Sequence, residues 1–255
     1  MVAELARAWV AGWVLSRETA PPVEEPWGLR VDVGLPNHVA RHVLPDADET
    51  TVRKVAETVT TPGTWIKAFV PPESMASWLT PDWTSGDAGF LMATDIRPSP
   101  TPTPEGYELT TETRGAVIRA SVLAADGSIA ARGQIAPIGE TAVIDQVTTD
   151  LAHQRRGLGS FVMRTLANVA TEKGATTGVL GATVEGRALY ESLGWSVHAP
   201  LAGFVYKAVA VCPFRTGQQP RFRQLRSSGT RETDAVGAAP RGIAREFEPG
   251  GIARP

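Results

Sequence analysis

A layered α/β domain, with a mixed and mostly antiparallel sheet flanked by helices, is predicted by three observations in the amino-acid sequence. Strand-like runs joined by tight turns fill 116–149, a glycine-containing turn and a long amphipathic pattern follow at once, and a short strand with a second helix comes after them. Residues 1–97 also mix helical and strand patterns and read as an N-terminal α/β extension.

Composition fits this class. With 255 residues, 42% of them hydrophobic, the chain can bury one sizeable core or two small ones. A net charge of -2 gives no reason to expect nucleic acid as an obligatory partner. The single cysteine, Cys212, has no partner for an internal disulfide, which suits a reducing cytoplasm. Glu4 precedes Arg7 and no small-residue cleavage site follows, so the start does not read as a secretory leader. No run approaches the ~20 apolar residues that span a bilayer. A soluble, cytoplasmic protein without a membrane partner is expected, and the oligomeric state, a homodimer included, is left open.

Taken in order, Leu5, Trp9 and Trp13 recur at helical spacing over the first eighteen residues, and Ala20-Pro21-Pro22 ends that helix. Strands are expected at 28–33 and 38–43, then a helix from Asp46 or Asp48 to Val59 with acidic residues in its first turn. A strand at 65–70, a short helix opened by Pro71-Pro72, and a strand at 89–94 complete this half. Prolines alternate over 98–104, which forbids helix and central strand and predicts an extended surface spacer. Beyond it, 107–113 is a strand or an extended lead-in. Strands at 116–124, 129–135 and 141–149 are separated by Asp126-Gly127 and by a turn over Pro137 to Glu140. Leu158, Val162, Leu166 and Val169 mark one helix face, closed by Lys173-Gly174. A strand at 177–180, a helix at 185–193 ended by Gly194, and a final strand pair at 195–198 and 204–211 follow.

The segments divide as 1–97, a spacer at 98–104, a core at 105–211, and a basic tail at 212–255. The tail has almost no aliphatic periodicity and is expected to be disordered.

The informative stretch is Gln154-Arg155-Arg156-Gly157-Leu158-Gly159-Ser160, between a strand and a helix. Backbone N–H groups and a helix N-terminus converge there, two arginines add positive charge, and a Cβ at Gly157 or Gly159 would hold a phosphate away. A nucleotide P-loop is excluded, because Gly159 is followed by Ser160 and Phe161 rather than by Lys and Ser or Thr. A dinucleotide fingerprint fits poorly, because Val162 stands where a third glycine belongs.

Gln154, Gly157 and Gly159 resemble the acetyl-CoA loop of the GNAT N-acetyltransferase superfamily, and Ala188-Leu189-Tyr190-Glu191-Ser192-Leu193-Gly194-Trp195 resembles a second signature of that family. The resemblance runs from about Gly115 to Ala208. It implies a GNAT-like sheet and acetyl-CoA as acyl donor. The pantetheine arm would lie along the backbone of Val147 and Thr149, and the pyrophosphate on Gln154, Arg155, Arg156, Gly157, Leu158, Gly159 and Ser160. Tyr190 occupies the position of the phenol that protonates the departing thiolate, and a tyrosine with an ordinary pKa of ~10 is protonated at neutral pH. Thr183 stands where many members carry an asparagine that bonds the cofactor. As general base the candidates are Asp145, read as sharing a strand side with Val147 and Thr149, and Glu140 just before that strand. His38, His42 and His198 make no metal set, and no metal is expected.

The resemblance implies transfer of an acetyl group to an amine of a small molecule or peptide, with residues 1–97 either on the acceptor side or a domain of their own. Two other readings stand beside it: a non-catalytic acyl-CoA-binding or regulatory module on the same fold, and an interaction protein that uses the basic tail.

Overall fold

Helix α1 (Val2–Ser16) forms where Trp9, Val10, Trp13 and Val14 recur on one face, and all four are buried. Strands β1 (Val23–Glu25), β2 (Gly28–Leu35) and β3 (His38–Leu44) follow as an antiparallel meander. Helix α2 (Glu49–Thr58) carries the chain to β4 (Trp65–Ala68), which lies parallel to β3. Helix α3 (Pro72–Trp78), with proline at its first position, leads to β5 (Trp83–Ser85) and β6 (Gly89–Asp95). Beyond the proline-rich stretch come the antiparallel strands β7 (Tyr107–Arg114), β8 (Val117–Ala124), β9 (Ile129–Ile138) and β10 (Thr141–Thr149). A short 3-10 turn (Leu151–His153) and α4 (Leu158–Glu172) connect to β11 (Thr177–Thr183), parallel to β10. Helix α5 (Val184–Ser192) and β12 (Ser196–Tyr206) end the description. This computed structural model describes residues 1–86 and 88–207, so the basic tail expected from Cys212 lies outside the described residues.

The strands form one mixed sheet in the order β1-β2-β3-β4-β12-β6-β11-β10-β9-β8-β7, with β5 paired to β12. Most neighbours are antiparallel, and the parallel pairs are β3–β4 and β10–β11. Each parallel pair is closed by a crossover helix, as parallel strands require. Two units thus share one path: β2, β3, α2, β4, α3 and β9, β10, α4, β11, α5. Their closing strands are exchanged. After the first unit, β6 enters the sheet beside β11, and after the second, the end of β12 pairs with β4. The central sheet is therefore built from both sides of the proline-rich stretch.

Two apolar layers cover the central strands. Ala142 and Ile144 of β10 join Phe161, Val162 and Leu166 of α4 on one face. Val143 of β10 and Val179 of β11 join Trp9, Val10 and Trp13 of α1 on the other. A third cluster packs Val52 and Val55 of α2 and Met75 of α3 against Ile66 and Phe204.

Two sequence expectations change, and two short strands are added to them. The final strand pair is one strand of 11 residues, because β12 passes from β6 to β4 as its partner, with an irregularity between Val197 and Ala199 in place of a turn. Strand β9 runs on through Pro137 to Ile138, so the turn shrinks to Gly139-Glu140, with Gly139 at φ 57°. The three-residue strands β1 and β5 carry too little periodicity to be read in advance. The proline-rich stretch is tied to the domain: Asn168 of α4 accepts the Ser99 N–H and donates to the Ser99 carbonyl, each over 2.8 Å. No described helix is long and apolar enough to cross a membrane.

Candidate active site

The site begins where two parallel strands part. Strand β10 pairs with β11 only over Thr141–Val143 against Thr177–Val179, yet β11 continues to Thr183 on β6 and β10 continues to Thr149 on β9. From Ile144 onward the backbone of β10 facing β11 has no strand partner, so the groups pointing into the gap are open to a ligand.

A bulge shapes the β10 side of this gap. Gln146 and Val147 stand opposite Gly133 alone, and Gln146 takes a left-handed φ of 55°. The extra residue reverses the alternation of the strand. Asp145 lies on the α1 face with Val143, where it meets Ser16 and Arg17, whereas Val147 packs into the α4 layer. Thr149 Oγ1 also points toward α4, lying 3.8 Å from where a Cβ on Gly159 would stand. The expectation that Asp145 shares a side with Val147 and Thr149 is therefore corrected.

The gap ends at the N-terminus of α4. Gly157 is its N-cap, at φ 78° and without a side-chain cap, so the first-turn N–H groups of Leu158, Gly159 and Ser160 are not taken by a capping side chain. The Leu158 side chain turns into the core and contributes only its backbone to the loop. Gly159 is needed for packing as well as access, since a Cβ there would lie 3.0 Å from Leu189 of α5. Arg155 is exposed and left-handed at φ 62°, and Gln154 is exposed beside it. Arg156 donates to the Tyr107 hydroxyl at 3.1 Å, and that hydroxyl lies 3.0 Å from His153 Nδ1, so β7 steadies the loop from below.

The other crossover helix is built in the opposite sense. Its N-cap Asp48 accepts the Thr51 N–H at 2.7 Å, a bond that holds its carboxyl below the usual range, and Asp46 and Glu49 add negative charge. That end repels an anion, while the N-terminus of α4 attracts one.

Tyr190 lies on α5 across the gap. Gly186, one turn earlier, lets the ring lie close: a Cβ there would stand 3.1 Å from Tyr190 Cε2. Among the described residues nothing bonds the Tyr190 hydroxyl. Burial, and secondarily the charge of Asp145, push its pKa up to about 12, which also places it within electrostatic reach of the bulge. Thr183 is the N-cap of α5, and its hydroxyl accepts the Gly186 N–H at 2.7 Å. Leu151 (70% exposed) and Val184 (57% exposed) flank the mouth as apolar side chains in water.

The two carboxylates read as possible bases lie elsewhere in function or in space. Asp145 accepts from Arg17 Nε (2.6 Å), Arg17 Nη2 (3.0 Å), Ser16 Oγ (2.8 Å) and the Gln146 N–H (2.9 Å), with side-chain exposures of 3% for Arg17 and 8% for Asp145. Its oxygens are filled. Glu140 sits in the turn before β10, at the far end of that strand from the loop, roughly 25–30 Å along an extended chain. Among the described residues no cluster of His, Cys, Asp or Glu is arranged to hold a metal ion.

Sequence reasoning missed the bulge at Gln146, the Ser16–Arg17 contacts, the Tyr107–His153–Arg156 chain and the apolar rim. Only the rim had a signal, in Leu151 and Val184 at positions next to turns.

Comparison with known proteins agrees with this geometry. Residues 73–195 match the model of the acetyltransferase (GNAT) family. A GCN5-related N-acetyltransferase from Kribbella flavida superposes with a TM-score of 0.59 at 17% identity, over 83% of this chain and 97% of that one, and shares the fold. A GCN5-related N-acetyltransferase from Sphaerobacter thermophilus gives a TM-score of 0.49 at 13% identity, over 69% and 75% of the two chains. A search of curated proteins finds no match. The match begins at residue 73, so the part of the chain that is similar to the GNAT family takes in β6 as well as the gap, the glycine loop and Tyr190.

Proposed function

We propose that the chain is an N-acetyltransferase that moves an acetyl group from acetyl-CoA to an amine of a small molecule or peptide by direct attack. The observation that carries this reading is the gap between β10 and β11, running into the uncapped N-terminus of α4. An amide-bearing arm finds open backbone at Val147 and Thr149. A diphosphate finds the N–H groups of Gly157, Leu158, Gly159 and Ser160, with Gln154, Arg155 and Arg156 around them. Leu151 and Val184 offer apolar cover at the mouth.

When bound, acetyl-CoA supplies an activated thioester whose carbonyl carbon accepts the amine and whose sulfur departs. The residues of the chain do the rest. The Val147 N–H, next to the Gln146 N–H that Asp145 already takes, is placed to polarise a carbonyl oxygen. Tyr190 keeps its proton at every physiological pH and donates from its hydroxyl to the departing sulfur. Thr183 accepts from Gly186 yet keeps its own hydroxyl proton for one acceptor on the ligand. The amine approaches from the α1 face, making the N-terminal region the acceptor side. With Asp145 committed to Arg17, the amine must lose its proton to water before attack.

A second reading is a non-catalytic acyl-CoA-binding module, favoured by Thr183 acting as a helix cap and by the occupied Asp145. Incubation with acetyl-CoA and an amine panel, with mass spectrometry of the products, separates the two. Acetylated amine lost in Tyr190→Phe supports the enzyme; calorimetric binding of coenzyme A with no product from any amine supports the module.

A further inference from the structure

We propose that Arg17 and Asp145 form a positioning pair that holds the bulge of β10 in the shape acyl transfer requires, an inference that rests on the acyl-CoA reading above. The link is a shared atom. Asp145 Oδ1 accepts both Arg17 Nη2 (3.0 Å) and the backbone N–H of Gln146 (2.9 Å), the residue whose φ of 55° makes the bulge. The guanidinium therefore fixes the oxygen that fixes the bulge.

The opposite strand is tied to the same helix end. Gln134 of β9, the register partner of Asp145, donates through Nε2 to the Ser16 carbonyl and to Ser16 Oγ, each over 2.6 Å. Ser16 Oγ in turn donates to Asp145 Oδ2 at 2.8 Å. Both strands entering the bulge are thus pinned to the last turn of α1. Attachment of α1 does not need this pair, because Trp9, Val10, Trp13 and Val14 already bury its face. What the pair adds is direction: the planar fork of an arginine locks a carboxylate in one orientation, which a point charge does not. A left-handed non-glycine residue is disfavoured in isolation and persists where its surroundings over-determine it. Arg17 and Asp145 are those surroundings, and what they orient is the peptide that joins Gln146 to Val147 at the edge of the gap.

The pair acts through the backbone, so its loss should separate turnover from donor binding. In Arg17→Gln, coenzyme A, gripped at the N-terminus of α4, should bind calorimetrically within about threefold of wild type. Turnover should fall about tenfold to a hundredfold in kcat with little change in the KM for acetyl-CoA, as small misplacements of reacting groups do. Exchange of the Gln146 amide proton, followed by NMR without ligand, should accelerate at least about tenfold more than that of Val143. Arg17→Lys should recover only part of the loss. Should Arg17→Gln fail to fold, the double variant Arg17→Met with Asp145→Leu, which removes both buried charges, gives the same readouts. Equal acceleration at Gln146 and Val143, or kcat within about threefold of wild type, would make the pair a plain structural tie. A wild-type protein that binds no coenzyme A overturns the acyl-CoA reading and the pair's role in transfer together. The exchange at Gln146 still reports separately whether the pair holds the bulge.

Discussion

Gly12 of α1 lies directly over Val143 of β10: a Cβ built on Gly12 would fall 2.3 Å from the Val143 Cβ and 2.2 Å from its Cγ2. The helix approaches the sheet at a distance only glycine permits. Gly12→Ala gains about 1 kcal/mol of helix propensity but forces apart a packed layer, so a net loss of about 1–3 kcal/mol is expected. Chemical denaturation of Gly12→Ala, Val143→Ala and the double variant checks this. The double variant should lose less than the sum of the two, and strict additivity would argue against the contact.

Gly157 and Gly159 should separate strain from crowding. Gly157→Ala places a Cβ in open space but at φ 78°, a strain of about 1–2 kcal/mol. Gly159→Val pushes on Leu189 and fills the mouth of the loop. Isothermal calorimetry with coenzyme A should show at least about tenfold weaker binding for Gly159→Val, roughly 1.4 kcal/mol. Undiminished affinity in both variants would place the diphosphate elsewhere.

Removal of the Tyr190 hydroxyl should lower kcat by about a hundredfold while leaving the affinity for coenzyme A near that of wild type. The raised pKa carries a second consequence. A neutral phenol favoured by the fold contributes stability that is complete below the unfolded value near 10 and is lost as pH rises toward about 12. Thermal melts of wild type and Tyr190→Phe should therefore agree in slope below pH 10 and diverge above it. With the phenol protonated and Asp145 occupied, kcat/KM below pH 10 should rise along the titration of the acceptor amine itself. A profile independent of the amine chosen would point to a base on the protein.

Acid should act through the N-terminal half. The His38 imidazole stacks on Trp65 at 5.2 Å, and burial, followed by the charges of Arg41, Lys67 and Arg17, lowers its pKa to about 4. His42 is lowered as well, again by burial first and then by Arg30. A histidine held neutral contributes stability that is whole above pH 6.5 and lost as pH falls toward 4. The melting temperature should drop across that window, and less steeply in His38→Gln. Parallel curves for the two proteins would remove His38 from the explanation.

Asn168→Ala leaves the Ser99 N–H and carbonyl without their clamp, at a cost of about 1–2 kcal/mol. Limited digestion with a glutamate-specific protease should then cut after Glu105, at the end of the stretch, faster than in wild type. Unchanged cleavage would show that the prolines alone hold the stretch.

Much of this architecture was legible before any coordinates. Helices α2, α4 and α5 and strands β2, β3, β6, β8 and β10 announce themselves through apolar spacing and capping residues, and Gly157 and Gly159 marked the loop before α4 as places where a side chain would hold a phosphate away. What stayed hidden depends on partners distant in sequence. Arg17 and Asp145 meet across 128 residues, and nothing near either one signals the other. The bulge at Gln146 adds a residue without any glycine to mark it, so the strand's alternation misassigned the side on which Asp145 lies. The long β12 read as two strands because a proline and a glycine interrupt its apolar pattern, whereas the structure changes its neighbour along a single strand.

The exchange of closing strands has a bearing on how the chain is made. Strand β6 is synthesised early but needs β11 and β12 on its flanks, and β4 waits for residues 202–205 at the other end. Neither half can complete its hydrogen bonding while the ribosome still holds the last strand. A chain released at the proline-rich stretch would carry β4 and β6 as bare edges, the kind of surface that chaperones shield.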